Sequence, residues 1–168
     1  LLGLAAGLVL ALLEWNSGAA PIYSGMMQFD NFAVAFTSIG ILSTMLILLI
    51  SKDYFEQISD HVAEYYAIIL FALIGILVMV SFNNLSMLFI GIEIMSVSLY
   101  ILAGIRKNDF KSNEAALKYF LTGAFSTGFL LMGIAFLYGS TASFDLGVIK
   151  EYVISNPTQV SPLLDRKS

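Results

Sequence analysis

The stretch Asn84-Leu85-Ser86-Met87-Leu88-Phe89-Ile90-Gly91-Ile92-Glu93-Ile94-Met95-Ser96-Val97-Ser98-Leu99-Tyr100-Ile101-Leu102-Ala103-Gly104 is an apolar run of membrane-crossing length with one ionisable group, Glu93. At a rise of about 1.5 Å per residue, Glu93 lies roughly 14 to 16 Å from either end, near the midplane of a hydrocarbon core about 30 Å thick. An ionised residue at that depth costs about 2.5 to 3.5 kcal/mol on insertion scales, so the carboxyl is either neutral or paired with a cation from another helix. Both states require an inward-looking face. Ser86 at i−7, Ser96 at i+3 and Tyr100 at i+7 share that face, giving a polar stripe that is expected to meet protein or water. The carboxyl reads as a proton-exchanging site; the competing reading is a protonated acid acting as an interhelical hydrogen bond.

The 168 residues are 58% hydrophobic and 12% charged, with a mean hydropathy of +0.86, where soluble domains carry about a quarter charged residues. This composition is that of an integral membrane protein. The net charge of −4 says little about partners, because the charged residues fall mainly between apolar runs, and nucleic acid is not implied. With no cysteine, the chain itself cannot form disulfides, use a thiol nucleophile, or ligate zinc or iron–sulfur clusters through thiolates. His61 is the sole histidine and does not by itself make a metal site. Phosphate-binding loops, dinucleotide fingerprints and nucleophile elbows are absent from the sequence.

The periodicity predicts an all-α, polytopic transmembrane bundle with five apolar segments at about 1–13, 31–50, 65–82, 85–104 and 113–138, followed by an interfacial amphipathic helix at about 144–154. The first segment is too short to span and reads as the second half of a transmembrane helix; the others read as complete spans, all within one membrane domain over 1–168. Asp30 or Asn31 suits the cap of the second segment, and Ser112 with Glu114 suits the first turn of the fifth. Asn83-Asn84 is a tight turn, so the segments on either side should pack antiparallel.

Lys118 lies about 9 Å into the fifth segment, counted from Ser112, and has two readings. It either snorkels to the interface paired with Glu114 at i,i+4, or begins a hydrogen-bonded path continued by Thr122 and Ser126. Ala124 and Gly128 form a small-xxx-small pair that suits close helix approach. Lys52, Arg106, Lys107 and Lys111 lie on one side of the spans, which places the loops at 51–64 and 105–112 in the cytoplasm.

Two motifs together carry a family resemblance: Leu88-Phe89-Ile90-Gly91-Ile92-Glu93, and Glu114-Ala115-Ala116-Leu117-Lys118-Tyr119, set 25 residues apart acid to lysine. The chain resembles the N-subunit family of proton-translocating NADH-quinone oxidoreductase, respiratory complex I. The resemblance runs to about Leu164 and implies an N-terminal-half piece of an antiporter-like inverted-repeat fold. It implies that Glu93 is the proton site, that Lys118 tunes how tightly it holds the proton, and that Ser86, Ser96, Tyr100, Thr122 and Ser126 are candidates for a polar path. It further implies a multi-pass protein of the bacterial inner membrane whose partners are other membrane-arm subunits and lipid. NADH, FMN, iron–sulfur clusters and quinone are implied to belong to other subunits, with no cofactor or metal held by this chain. A cation–proton antiporter subunit and a non-transporting membrane scaffold are the alternatives.

Overall fold

A computed structural model describes residues 1–18, 20–51, 54 and 62–156. Among the described residues six helices follow one another: α1 (Leu2–Leu13), α2 (Asn31–Ile50), α3 (Val62–Val80), α4 (Leu85–Ala103), α5 (Phe110–Thr141) and α6 (Leu146–Ser155). Helix is the form that satisfies backbone polar groups within one segment, which an apolar solvent requires. Among the described residues four helices, α2 to α5, are long and apolar enough to cross a membrane. Each helix packs chiefly on its neighbours in sequence, α3 against α4 most extensively. Readings that rest on His61, on most of the loop at 51–61 and on the tail at 157–168 fall outside the described residues.

Side-chain caps set the helix starts. Asp30 Oδ1 accepts from the Ala33 N–H at 2.8 Å to open α2, and Asn84 Oδ1 accepts from the Ser86 N–H at 2.9 Å to open α4. The start of α5 differs from the sequence expectation. Asp109 accepts from the Lys111 N–H at 3.0 Å, so the helix opens at Phe110 instead of residue 113. The Ser112 hydroxyl turns elsewhere and donates to the Ala103 carbonyl at 2.9 Å, tying the first turn of α5 to the last turn of α4. At its far end α5 runs past Tyr138, because Ser140 and Thr141 both donate back to the Leu137 carbonyl and Ala142, at φ 53°, closes the helix in the left-handed region.

Helix α3 covers Val62–Val80 where the sequence suggested 65–82. Its end comes early because Ser81 to Leu85 takes up other backbone partners. Gln28 N–H donates to the Ser81 carbonyl at 2.8 Å, Asn83 N–H to Met26 at 2.9 Å, Leu85 N–H to Phe144 at 2.9 Å and Leu146 N–H to Asn83 at 3.2 Å. The Asn83 side chain adds a bond to the Gly25 carbonyl at 2.9 Å. One end of the bundle is thus knit through this turn to the loop before α2 and to the connection before α6.

The tightest helix crossing is at Gly75 and Gly91. A Cβ added at Gly75 would stand 2.5 Å from Met95 N and 2.9 Å from Gly91 O; one added at Gly91 would stand 2.7 Å from Met79 N and 3.0 Å from Gly75 O. Backbone meets backbone there, so only glycine fits on either side. The small pair expected to serve close approach, Ala124 and Gly128, does not do so among the described residues: a Cβ at Gly128 meets none of them within 4 Å.

Candidate functional site

Glu93 sits on α4 half a turn beyond Gly91, so the glycine crossing fixes the depth and rotation at which its side chain leaves the helix. The residue is half-buried, and its Oε1 atom is fully buried with no hydrogen-bond partner among the described residues. It lines an open groove of about 370 Å³ whose walls are Ile68 and Phe71 of α3 and Ile94, Val97, Ser98 and Ile101 of α4. Ser98 is 4% exposed and its hydroxyl already donates to the Ile94 carbonyl at 2.8 Å. That carboxyl oxygen therefore has no partner among the described residues, in a wall that is apolar apart from Ser98.

Lys118 is placed elsewhere. Its Nζ donates to Glu114 Oε1 at 2.5 Å across one helical turn, and its side chain is 74% exposed. Thr122 donates to the Lys118 carbonyl at 2.9 Å and Ser126 to the Thr122 carbonyl at 3.0 Å, so this face of α5 closes its polar groups on itself. The face that α5 turns to α4 carries Ser112, Ala116 and Gly123 instead. Glu93 and Lys118 are not brought into an ion pair within this chain.

The remaining stripe residues divide. Tyr100 leaves α4 toward α5, where its ring meets Tyr119 at 4.9 Å and Phe120 at 5.7 Å, both edge to face. Ser86 and Ser96 are half-buried on α4, and the Ser86 N–H takes the Asn84 cap. The groove partners Ile68, Phe71 and Ser98 were not singled out by the sequence. Ser98, at i+5 from Glu93, lies off the stripe that a 3.6-residue period draws, and the two α3 residues look like any others in an apolar run. Thr37 on α2, a hydroxyl able to bond back to its own backbone, is 5% exposed and has no partner among the described residues. Among the described residues no three His, Cys, Asp or Glu side chains gather as a metal site.

A model of the NADH:quinone oxidoreductase/Mrp antiporter transmembrane region matches residues 81–164, which hold α4, α5, α6 and the Asn83 turn. The chain belongs to this family. NADH-quinone oxidoreductase subunit N of Cytophaga hutchinsonii is 43% identical over 143 residues, covering 85% of this chain and 31% of that protein. The subunit N of Flavobacterium psychrophilum is 43% identical over 149 residues, covering 89% of this chain and 32% of that protein. NAD(P)H-quinone oxidoreductase subunit 2 of a Synechococcus species is 40% identical over 161 residues, covering 96% of this chain and 31% of that protein. Among solved structures, a chain of respiratory complex I from Thermus thermophilus with bound aureothin superposes at a TM-score of 0.75 and 29% identity, over 95% of this chain and 37% of that one. The family member described here spans about a third of the length of the curated relatives it matches.

Proposed function

We propose that this chain is part of a proton-translocating, antiporter-like subunit in the membrane arm of NADH-quinone oxidoreductase, in which Glu93 takes up and releases the proton. The observation that carries the reading is the Glu93 Oε1 atom, buried and unpartnered on a membrane-length helix whose backbone is locked against its neighbour. An ionised carboxyl at mid-membrane depth is costly, and a proton or a nearby positive charge are the two ways to relieve it. Switching between them is proton uptake and release. Lys118 is assigned the tuning charge: when its ammonium leaves Glu114 and approaches the Glu93 helix, the carboxylate is favoured; when it returns, the protonated acid is favoured. Electron transfer from NADH through FMN and iron–sulfur clusters to quinone is assigned to other subunits, and neighbouring membrane-arm subunits and lipid to the flanks. The basic residues Arg106, Lys107 and Lys111 support assigning the α4–α5 loop to the cytoplasmic side of a bacterial inner membrane.

The second reading is a cation–proton antiporter subunit, which the family's own description includes. The same carboxyl serves both, and they differ in the ion moved. The test is Glu93→Gln in the full-length subunit assembled in its complex, with proton translocation in inside-out vesicles divided by the amount of assembled complex. Gln keeps size and hydrogen bonding but cannot titrate. The expected result is normal assembly with proton translocation nearly abolished. Normal translocation would overturn the proposal; loss of NADH-independent sodium–proton exchange in its place would move it to the antiporter reading.

A further inference from the structure

The contact between Tyr100 and Gly123 has no part in the proton chemistry above and is the most tightly fitted contact between the Glu93 helix and the Lys118 helix. A Cβ added at Gly123 would collide with the Tyr100 hydroxyl oxygen and would stand 2.5 Å from Cζ and 2.9 Å from Cε1 of the same ring. The tyrosine fills the space that any other residue at 123 would need. Its ring is also gripped edge to face by Tyr119, at an interplanar angle of 87°, and by Phe120, at 84°, both on α5. Such aromatic pairs contribute beyond their buried area because the positive edge of one ring meets the negative face of the next. Nearer the helix ends, a Cβ added at Gly104 would stand 2.8 Å from Ala116 Cβ, and the Ser112 hydroxyl holds the Ala103 carbonyl. The last turn of α4 is therefore held against the first turns of α5 by the Ser112 bond, the Gly104–Ala116 contact and one inserted ring.

We propose that Tyr100 seated in the Gly123 notch is a register pin that sets how the Glu93 helix stands against the Lys118 helix, making Tyr100 a positioning residue for proton exchange at Glu93. Tyr100 lies seven residues from Glu93 on the same helix, and its ring meets edge to face the two residues that follow Lys118. Sliding or rotating α4 against α5 would have to drag the ring out of the notch. The inference rests on the proton-site reading of Glu93. It assigns the role to the ring and not to the hydroxyl, since ring carbons as well as the oxygen occupy the notch.

The experiment uses the full-length subunit in its assembled complex, with proton translocation per complex and complex content measured separately for Tyr100→Phe, Tyr100→Ala, Gly123→Ala and both double variants. Tyr100→Phe keeps the ring and is expected to translocate as wild type. Tyr100→Ala and Gly123→Ala are each expected to lower translocation per complex about tenfold, a smaller loss than the roughly hundredfold that a full 1 Å misplacement of a reacting group can cause. Tyr100→Ala with Gly123→Ala should be no worse than Tyr100→Ala alone, because the methyl then enters vacated space, whereas Tyr100→Phe with Gly123→Ala should stay defective. If Gly123→Ala fails to assemble, adding Tyr100→Ala should recover assembly. Losses that multiply, a silent Gly123→Ala, or no recovery would overturn the pin. A defective Tyr100→Phe would also overturn it, returning the hydroxyl to the polar path. The Glu93→Gln variant keeps the two readings apart: if it translocates normally the proton site fails, and if it is blocked while Tyr100→Ala and Gly123→Ala are silent the pin alone fails.

Discussion

The outward face of α5 and the inward face of α4 handle polar groups in opposite ways. On α5, Lys118 has Glu114 one turn back, Thr122 bonds to the Lys118 carbonyl and Ser126 bonds to the Thr122 carbonyl. Each polar side chain is satisfied by its own helix, so that face needs no particular neighbour. On α4, Glu93 has Phe89 and Ile90 before it and Ser96 and Val97 after it at the positions a helix brings together, and none is a cation. Its buried oxygen has no partner among the described residues, while the Gly75–Gly91 crossing stops the helix from turning it away. The number of polar residues on a membrane helix is thus a poor guide to function. The α4 face must take its partner from outside its own helix, and the α5 face can offer Lys118 to it only when that side chain lets go of Glu114.

The contrast breaks most visibly at the glycines. Gly75→Leu should abolish accumulation of the assembled complex, because the new Cβ would meet backbone atoms of α4 that cannot step aside. Gly128→Leu on α5 has open space around it within this chain and should accumulate as wild type. Quantifying complex content on native gels for both checks the difference; equal tolerance would mean that the α3–α4 crossing is less tight than described. Equal loss would mean that the α5 face is covered by protein beyond the chain described here.

Lys118→Met is the next largest expected effect, and it acts on transport without acting on folding. Its i,i+4 pair is worth only about 0.2 to 0.5 kcal/mol to the helix, so assembly should be unchanged. Proton translocation per complex should fall severalfold if the ammonium tunes Glu93, and full translocation would leave Lys118 as a surface pair with Glu114. Smaller still are two stability effects, each read as a shift in the thermal midpoint of the purified complex. Thr37→Val replaces a buried, unpartnered hydroxyl by a methyl of similar shape and should be neutral or raise the midpoint. Asp30→Ala removes the α2 cap and should lower stability by about 1 kcal/mol; an unchanged midpoint would show that the cap contributes nothing.

Most of the bundle was legible in the sequence because each span is a long apolar run and its caps are local. Asp30 is read as a cap from residues within three positions of the bond it makes, whereas Asn84 was read as a turn residue and its cap on Ser86 came only with the structure. The start of α5 was misplaced because Asp109 and Ser112 are both good cap residues, and the choice between them depended on the Ala103 carbonyl, which only the folded α4–α5 corner brings near. Glu93 stood out by itself, a single acid in an apolar stretch. Its surroundings did not, since Ile68, Phe71 and Gly75 carry no mark within the third apolar segment. Glycines were equally ambiguous: Gly128 with Ala124 matched the small-residue spacing, while Gly91, Gly75 and Gly123, which do the close packing, have no such repeat. Close approach is a property of two helices together, and one helix's spacing describes only half of it.

The central claim is that Glu93 changes its protonation during turnover, and infrared difference spectroscopy of the assembled complex tests it most directly. Carboxylic acid carbonyls absorb apart from carboxylates and amides, so a proton moving on or off a buried glutamate is seen as a band that rises or falls when NADH is added. The account predicts such a band in the wild-type complex and its absence in Glu93→Gln with an equal amount of assembled protein. Identical turnover spectra for the two would contradict it, and would leave Glu93 as a fixed hydrogen-bonding group between helices.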